Sequence, residues 1–288
     1  MKGIILAGGH GTRLFPLTQF TSKQLLPVYD KPMIYYPLST LMLGGVNEIA
    51  IISTPRDLPN YEKLLGDGSK WGLEFTYIEQ AEPKGLADAF ILASDFISKD
   101  SVSLILGDNI FFGNGLSEML SEANENEFEA TIFGYHVAEP SRYGVIGFDS
   151  EGVVDSLQEK PSEPLSNYVA TGLYFLPSDA SMIARSVKPS SRGELEILTL
   201  LEYYLNASKL KVQRIGRGHA WLDTGTPDSL LTANNFIGTV EQRQGLKVAC
   251  LEEIAFNNGW IDKNKLKKLA DNMSLGPYKN YLNKILKK

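Results

Sequence analysis

Short apolar runs alternate along this chain with longer stretches in which apolar positions recur at helical spacing. Ile4–Ala7, Glu48–Ser53, Phe75–Ile78 and Val102–Leu106 read as buried strands. Between them Met33–Leu43, Leu58–Leu65 and Leu86–Phe96 read as helices, the first opening after Pro32 and closing at Gly44-Gly45. Asn109–Phe112 is read as leading into a helix over Leu116–Asn124, and Ala130–Val137 as a further strand. From Tyr143 the pattern turns to β alternation. Val145–Phe148, a turn at Asp149–Gly152 and Val153–Leu157 predict a hairpin that presents Glu159-Lys160-Pro161, and Ala170–Leu176 returns as a strand. A helix over Glu194–Leu205 carries an apolar stripe of Leu195, Leu198, Leu201 and Leu205. Lys211–Ile215 and Ala220–Leu222 are the last strands, and a helix runs from Pro227 to about Val240. The remainder is helical, its Lys-rich tail a solvated face. Strand and helix in alternation predict an α/β fold with a doubly wound, mostly parallel, Rossmann-like sheet, an inserted β-hairpin and C-terminal helices.

The first strand breaks at once into Gly8-Gly9-His10-Gly11-Thr12-Arg13. Glycines let backbone N–H groups converge on an anion without Cβ interference, and Arg13 adds a fork of permanent donors. Lys23 follows ten residues after Arg13, so one strand end offers glycines, a guanidinium and an ammonium to a polyphosphate. A P-loop is excluded, because Gly11 is followed by Thr12-Arg13 and not by Lys-Ser or Lys-Thr. The dinucleotide fingerprint fails as well: its third glycine would fall at Leu14, and no acidic residue closes a second strand at the required distance.

With 288 residues and 43% hydrophobic content, the chain can build one large α/β domain with an appendage. Its net charge of −6 repels polyanions as a whole, so nucleic acid is not an expected partner and a nucleotide needs a local cation cluster. The first apolar run is too short for a signal peptide and no window reaches membrane-spanning length, so a cytoplasmic location without membrane association is expected. Cys250 is the sole cysteine, and His10, His136 and His219 lack zinc spacing. Asp108 in Leu-Gly-Asp-Asn and Asp223 in Asp-Thr-Gly both follow strands, where open α/β sheets bind ligands. Each alone could be a turn residue. Together with the phosphate loop they can hold one Mg²⁺ against a nucleoside triphosphate, since Mg²⁺ takes few carboxylates and several phosphate oxygens.

The runs GGHGTRL, SKQLLPVYDKPMIYYPLS, LGDN, EKP, SRGELE and AWLDTGT resemble the sugar nucleotidyltransferase family over nearly the whole chain. The resemblance implies transfer of dTMP from dTTP to glucose 1-phosphate, giving dTDP-glucose and pyrophosphate, the first step of dTDP-rhamnose and deoxysugar biosynthesis. It places Gly8, Gly9, Gly11, Thr12 and Gln24 around the nucleotide, Arg13 and Lys23 on its phosphates, and Gln80 and Gly85 at the thymine edge. Asp108 and Asp223 match the Mg²⁺ ligands. Asn109, Gly144, Glu159, Ala170 and Tyr174 match positions about the sugar, and Lys160 and Arg192 those on its phosphate. Arg13, Lys23, Asp108 and Asp223 would form the catalytic set. The family pattern also implies a homotetramer under feedback control by a pathway end product. On this reading residues 1–240 are the catalytic domain, with the nucleotide half at about 1–110 and the sugar part at about 140–225; residues 241–288 form a helical part whose Leu251, Ile254, Phe256 and Trp260 are expected at subunit contacts. The chain departs from the pattern at Ile197-Leu198-Thr199, where an Ile-Thr-Asp is common, and Lys84 and Ala170 are further positions of variation. The alternatives are a sugar-nucleotide-binding regulatory module without catalysis, or the same chemistry with UTP or another hexose 1-phosphate.

Overall fold

A computed structural model describes every residue except His10, Glu127 and Lys288. Strand β1 (Lys2–Leu6) lies at the heart of a nine-stranded sheet, with Ile4 and Ile5 wholly buried. The loop after β1 contains a small hairpin of β2 (Pro27–Val28) and β3 (Lys31–Pro32) and leads into helix α1 (Tyr35–Leu43). Then follow β4 (Glu48–Ser53), α2 (Leu58–Leu65), β5 (Glu74–Glu79), α3 (Asp88–Leu92), α4 (Ser94–Ile97) and β6 (Val102–Leu106). β5, β4, β1 and β6 are parallel neighbours in that order, Leu6 of β1 standing level with Ile52 and Leu106. Chain order along this half reverses between β1 and β6. Connections leave the two strands in opposite directions there, which opens a crevice beyond their carboxyl ends.

The rest of the sheet is mixed. After β7 (Asn109–Phe112) and α5 (Leu116–Glu125) come β8 (Ala130–His136), β9 (Gly144–Phe148), β10 (Val154–Glu159) and β11 (Tyr168–Leu176). β11 runs antiparallel to β6, β8 and β9, so it joins the parallel half to the expected β9–β10 hairpin. Helices α6 (Ala180–Ser186) and α7 (Ile197–Asn206) precede β12 (Leu210–Ile215), which pairs with β8 in parallel, and then β13 (Ala220–Asp223). The chain closes with α8 (Pro227–Gln244), α9 (Leu251–Asn257), α10 (Lys263–Asp271) and α11 (Pro277–Ile285).

Three features differ from the sequence expectation, and each has a nonlocal cause. Asn109–Phe112 is a strand, not a lead-in to a helix, because it pairs antiparallel with β13. Leu86 and Glu194–Leu195 lie outside helices. Leu195 N–H donates to the Lys84 carbonyl at 2.7 Å and Ala87 N–H to the Leu195 carbonyl at 3.1 Å, so the two segments bind one another as an extended strap. Leu251 and Ile254, expected at a subunit contact, belong to this chain's own core, with Phe256 and Trp260 packed against it. Glu252 fixes that packing from within: its buried carboxylate accepts from Trp71 Nε1 at 3.0 Å and Tyr278 OH at 2.6 Å. Among the described residues no helix is long and apolar enough to cross a membrane.

Candidate active site

The loop after β1 is shaped by close approaches. A Cβ on Gly8 would stand 2.8 Å from Gln80 Oε1, and one on Gly11 would stand 2.8 Å from Thr18 Cγ2. Gly11 also adopts φ 59°, a left-handed conformation that glycine enters without strain. Thr18 Oγ1 donates to the Gly11 carbonyl at 2.8 Å and holds the turn shut. Thr12–Leu14 then makes a short helical turn that buries Leu14 and leaves Arg13 outside, its guanidinium Nη2 3.3 Å from where a Cβ on Gly225 would lie. The next turn, Lys23–Leu25, is anchored by buried Gln24, whose Oε1 accepts from Ser22 Oγ and from Tyr61 OH. That anchor aims Lys23 at the turn after β6, where its ammonium pairs with Asp108 Oδ2.

Burial pushes the Asp108 carboxyl up, but the charge and hydrogen bond of Lys23, helped by Asn109, outweigh it and hold the group below the usual carboxylate value. Asn109 is buried and its amide is a junction. Nδ2 donates to Asp108 Oδ1 at 3.0 Å, while Oδ1 accepts from Trp221 Nε1 at 2.6 Å and Gly172 N–H at 3.2 Å. The β7–β13 register sets Asp223 opposite Asn109, and Thr224 locks the pairing through its N–H and Oγ1 to the Asp108 carbonyl at 3.2 and 2.8 Å. Two carboxylates remote in sequence thus become neighbours. Tyr143 OH donates to Asp223 Oδ2 at 3.2 Å; burial, followed by the Asp223 charge, pushes the phenol up and keeps it protonated.

Opposite lies the end of the hairpin. Glu159 pairs in register with Gly144, and its Oε1 takes Lys160 Nζ at 3.2 Å and Arg192 Nη2 at 3.1 Å. Arg192 also reaches Glu196 at 2.8 Å and Glu194 at 3.6 Å, so it stands among three carboxylates. Ala170 and Tyr174 come from β11, with the Tyr174 phenol pushed up by burial and then by the Glu159 charge. Leu198, where the chain departs from the family pattern, packs on Gly144: a Cβ there would stand 2.9 Å from Leu198 Cδ1.

One pocket of about 390 Å³ receives most of the residues singled out from the sequence. Gly8, Arg13, Lys23 and Gln24 line it from the loop after β1, Asp108 and Asn109 from the segment after β6, Gly144, Glu159, Lys160, Ala170 and Tyr174 from the hairpin and β11, and Asp223 from the end of β13. Gly9, Gly11, Thr12, Gln80, Gly85 and Arg192 are not in its wall. Gln80 instead backs Gly8, Gly85 is pressed against Leu195, and Arg192 braces Glu159 from outside. Tyr143, Trp221 and Gly172 line the pocket without having been anticipated. Trp221 was within reach, because it lies two residues before Asp223 on a strand and so shares its face. Among the described residues no group of three or more His, Cys, Asp and Glu could hold a metal by itself. Asp108 and Asp223 suit a hard divalent cation that draws its other oxygens from phosphates and water.

A nucleotidyl transferase family model matches residues 2–240. The chain is 53% identical over 287 residues to a glucose-1-phosphate thymidylyltransferase of Xanthomonas campestris pv. campestris (strain B100), spanning 100% of this chain and 97% of that one. It is 52% identical over 288 residues to the Mycobacterium tuberculosis (strain ATCC 25618 / H37Rv) protein of the same name, with 100% of both chains covered. The crystal structure of a putative glucose-1-phosphate thymidylyltransferase from Bacillus anthracis in complex with a sucrose matches with TM-score 0.74 at 38% identity, over 82% of this chain and 94% of that chain. A UDP-glucose pyrophosphorylase complexed with UDP-glucose matches with TM-score 0.72 at 26% identity, over 83% and 98%. Crevice, acidic pair and glycine loop therefore sit in a chain that aligns over its whole length with the two sequence relatives, and the chain belongs to the nucleotidyl transferase family.

Proposed function

We propose that this enzyme is a glucose-1-phosphate thymidylyltransferase, joining dTMP from dTTP to the phosphate of glucose 1-phosphate and releasing pyrophosphate. The observation that carries the reading is the convergence of Arg13 and Lys23 with Asp108 and Asp223 in one pocket that Asn109, Glu159, Lys160 and Tyr174 also line. In the reaction a phosphate oxygen of the sugar phosphate forms a bond to the α-phosphorus as the bond to pyrophosphate breaks. That oxygen is largely ionised at neutral pH, so no general base or protein nucleophile is needed. Catalysis then consists of in-line placement and neutralisation of charge.

Arg13 and Lys23 bind the triphosphate, and Lys23 can exchange its present partner Asp108 for phosphate oxygens. Lys160 and Arg192 hold the sugar phosphate, and Glu159 accepts from sugar hydroxyls. A divalent cation, Mg²⁺ in this proposal, would be held by Asp108 and Asp223 and would supply further neutralisation of the phosphates. Gln80 and Gly85 face the base. Residues 1–240 are the catalytic unit, and the protein works as a cytoplasmic homotetramer at the entry to dTDP-rhamnose synthesis under end-product control; light scattering and inhibition by dTDP-rhamnose test these last points. The decisive experiment is a matrix of nucleoside triphosphates against hexose 1-phosphates, scored by pyrophosphate release with added Mg²⁺. Highest turnover with dTTP and glucose 1-phosphate is expected. Silence in every combination, with retained binding of dTDP-glucose, would favour the non-catalytic binder.

A further inference from the structure

Gln80 follows β5 with its N–H fixed on the Ser53 carbonyl at 2.8 Å, and its side chain is buried. Its Nε2 donates to Asp88 Oδ2 at 2.9 Å, and Asp88, first residue of α3, is buried too. A carboxylate can only accept. The amide must therefore turn its NH₂ toward Asp88, which sends Oε1 the other way, to within 2.8 Å of where a Cβ on Gly8 would be. Gly8 lines the pocket. No donor from a described residue meets Oε1.

We infer that Asp88 is a positioning residue for base choice: by fixing the polarity of the Gln80 amide, it presents an acceptor that selects a pyrimidine imide N–H. Thymine and uracil offer N3–H there. Cytosine offers a lone pair at N3, and two facing acceptors repel while neither finds a partner. A neutral or missing side chain at position 88 would let the amide rotate, after which Nε2 could meet cytosine N3. The inference rests on the reading above that Gln80 faces the base. Neither Gly8 nor Gln80 could supply the polarity alone, since a glutamine amide is nearly symmetrical in shape and only its partner distinguishes its two ends.

The test compares kcat/KM for dTTP and dCTP, with glucose 1-phosphate as acceptor, in the wild-type enzyme and in Asp88→Asn, Asp88→Ala and Gln80→Ala. Asp88→Asn keeps the shape but offers both a donor and an acceptor, so the dTTP-to-dCTP ratio is expected to fall about 10-fold or more, chiefly through KM for dTTP. Asp88→Ala should move the ratio the same way, and Asp88→Asn decides if Asp88→Ala does not fold. A purely structural role would depress both nucleotides alike and leave the ratio unmoved. An unmoved ratio in both Asp88 variants, with Gln80→Ala lowering it, overturns the positioning role while keeping the base site. An unmoved ratio in all three overturns the base placement as well.

Discussion

The two ends of the pocket use similar residue types under different physical conditions. At the glycine-loop end the Lys23–Asp108 pair is 16% and 14% exposed, and Gln24, Gln80 and Asp88 are buried. At the hairpin end Glu159, Lys160 and Arg192 are 31%, 47% and 41% exposed. Sheltered charges interact strongly and are costly to leave unpaired, whereas exposed ones are screened by water and salt. The glycine-loop end is thus held in place by its own sheltered contacts, while the hairpin end is a set of exposed side chains free to rearrange.

The largest effect should come from the sheltered end. Asp108→Asn is expected to lower dTDP-glucose formation about 10²- to 10³-fold with native circular dichroism, because it removes a fixed charge from the proposed reacting centre. A loss under tenfold would erase the distinction between the ends. Gly172→Ala strikes the junction between them: its Cβ would stand 2.6 Å from Asn109 Oδ1 and 2.7 Å from Leu106 Cδ1. A stability loss of about 1–3 kcal/mol in urea melts is expected, with Asp108 and Trp221 losing their common anchor.

Protonation sharpens the contrast. Asp108 has a depressed value in the folded state, so its contribution to stability is complete above the unfolded carboxylate value and is lost as pH falls through the folded one. The stability gap between wild type and Asp108→Asn should therefore stay level from neutrality to about pH 5 and close only in stronger acid, below about pH 4. Urea midpoints measured across that range check it. The smallest effect belongs to the exposed end: Arg192→Ala should cost about 0.2–1 kcal/mol of stability, fading with added salt, and should act on KM for glucose 1-phosphate more than on kcat.

Much of this arrangement could be read from local pattern. Strands β1, β4 and β6 show as apolar runs because both of their faces are covered, and the glycine loop shows because its composition departs from any helix or strand. Asp108 and Asp223 were legible as acids following strands. Less legible was Tyr143, which hydrogen-bonds an acid and belongs to no motif of its own. The C-terminal apolar residues misled for a related reason: periodicity reveals that a face will be covered but not whether the chain itself or a second copy covers it.

By itself, then, the sequence determined which segments are strands of the parallel half, which loop is rich in glycine and cations and which acids follow strands, since those properties depend on residues a few positions apart. Only the tertiary structure decided that Thr224 meets Asp108 across 116 residues, that β7 is a strand, and that Asp88 sets the direction of the Gln80 amide. Strand pairing is made by backbone groups that every residue possesses, so register between distant segments leaves no local mark. It is fixed by the packing of the whole chain.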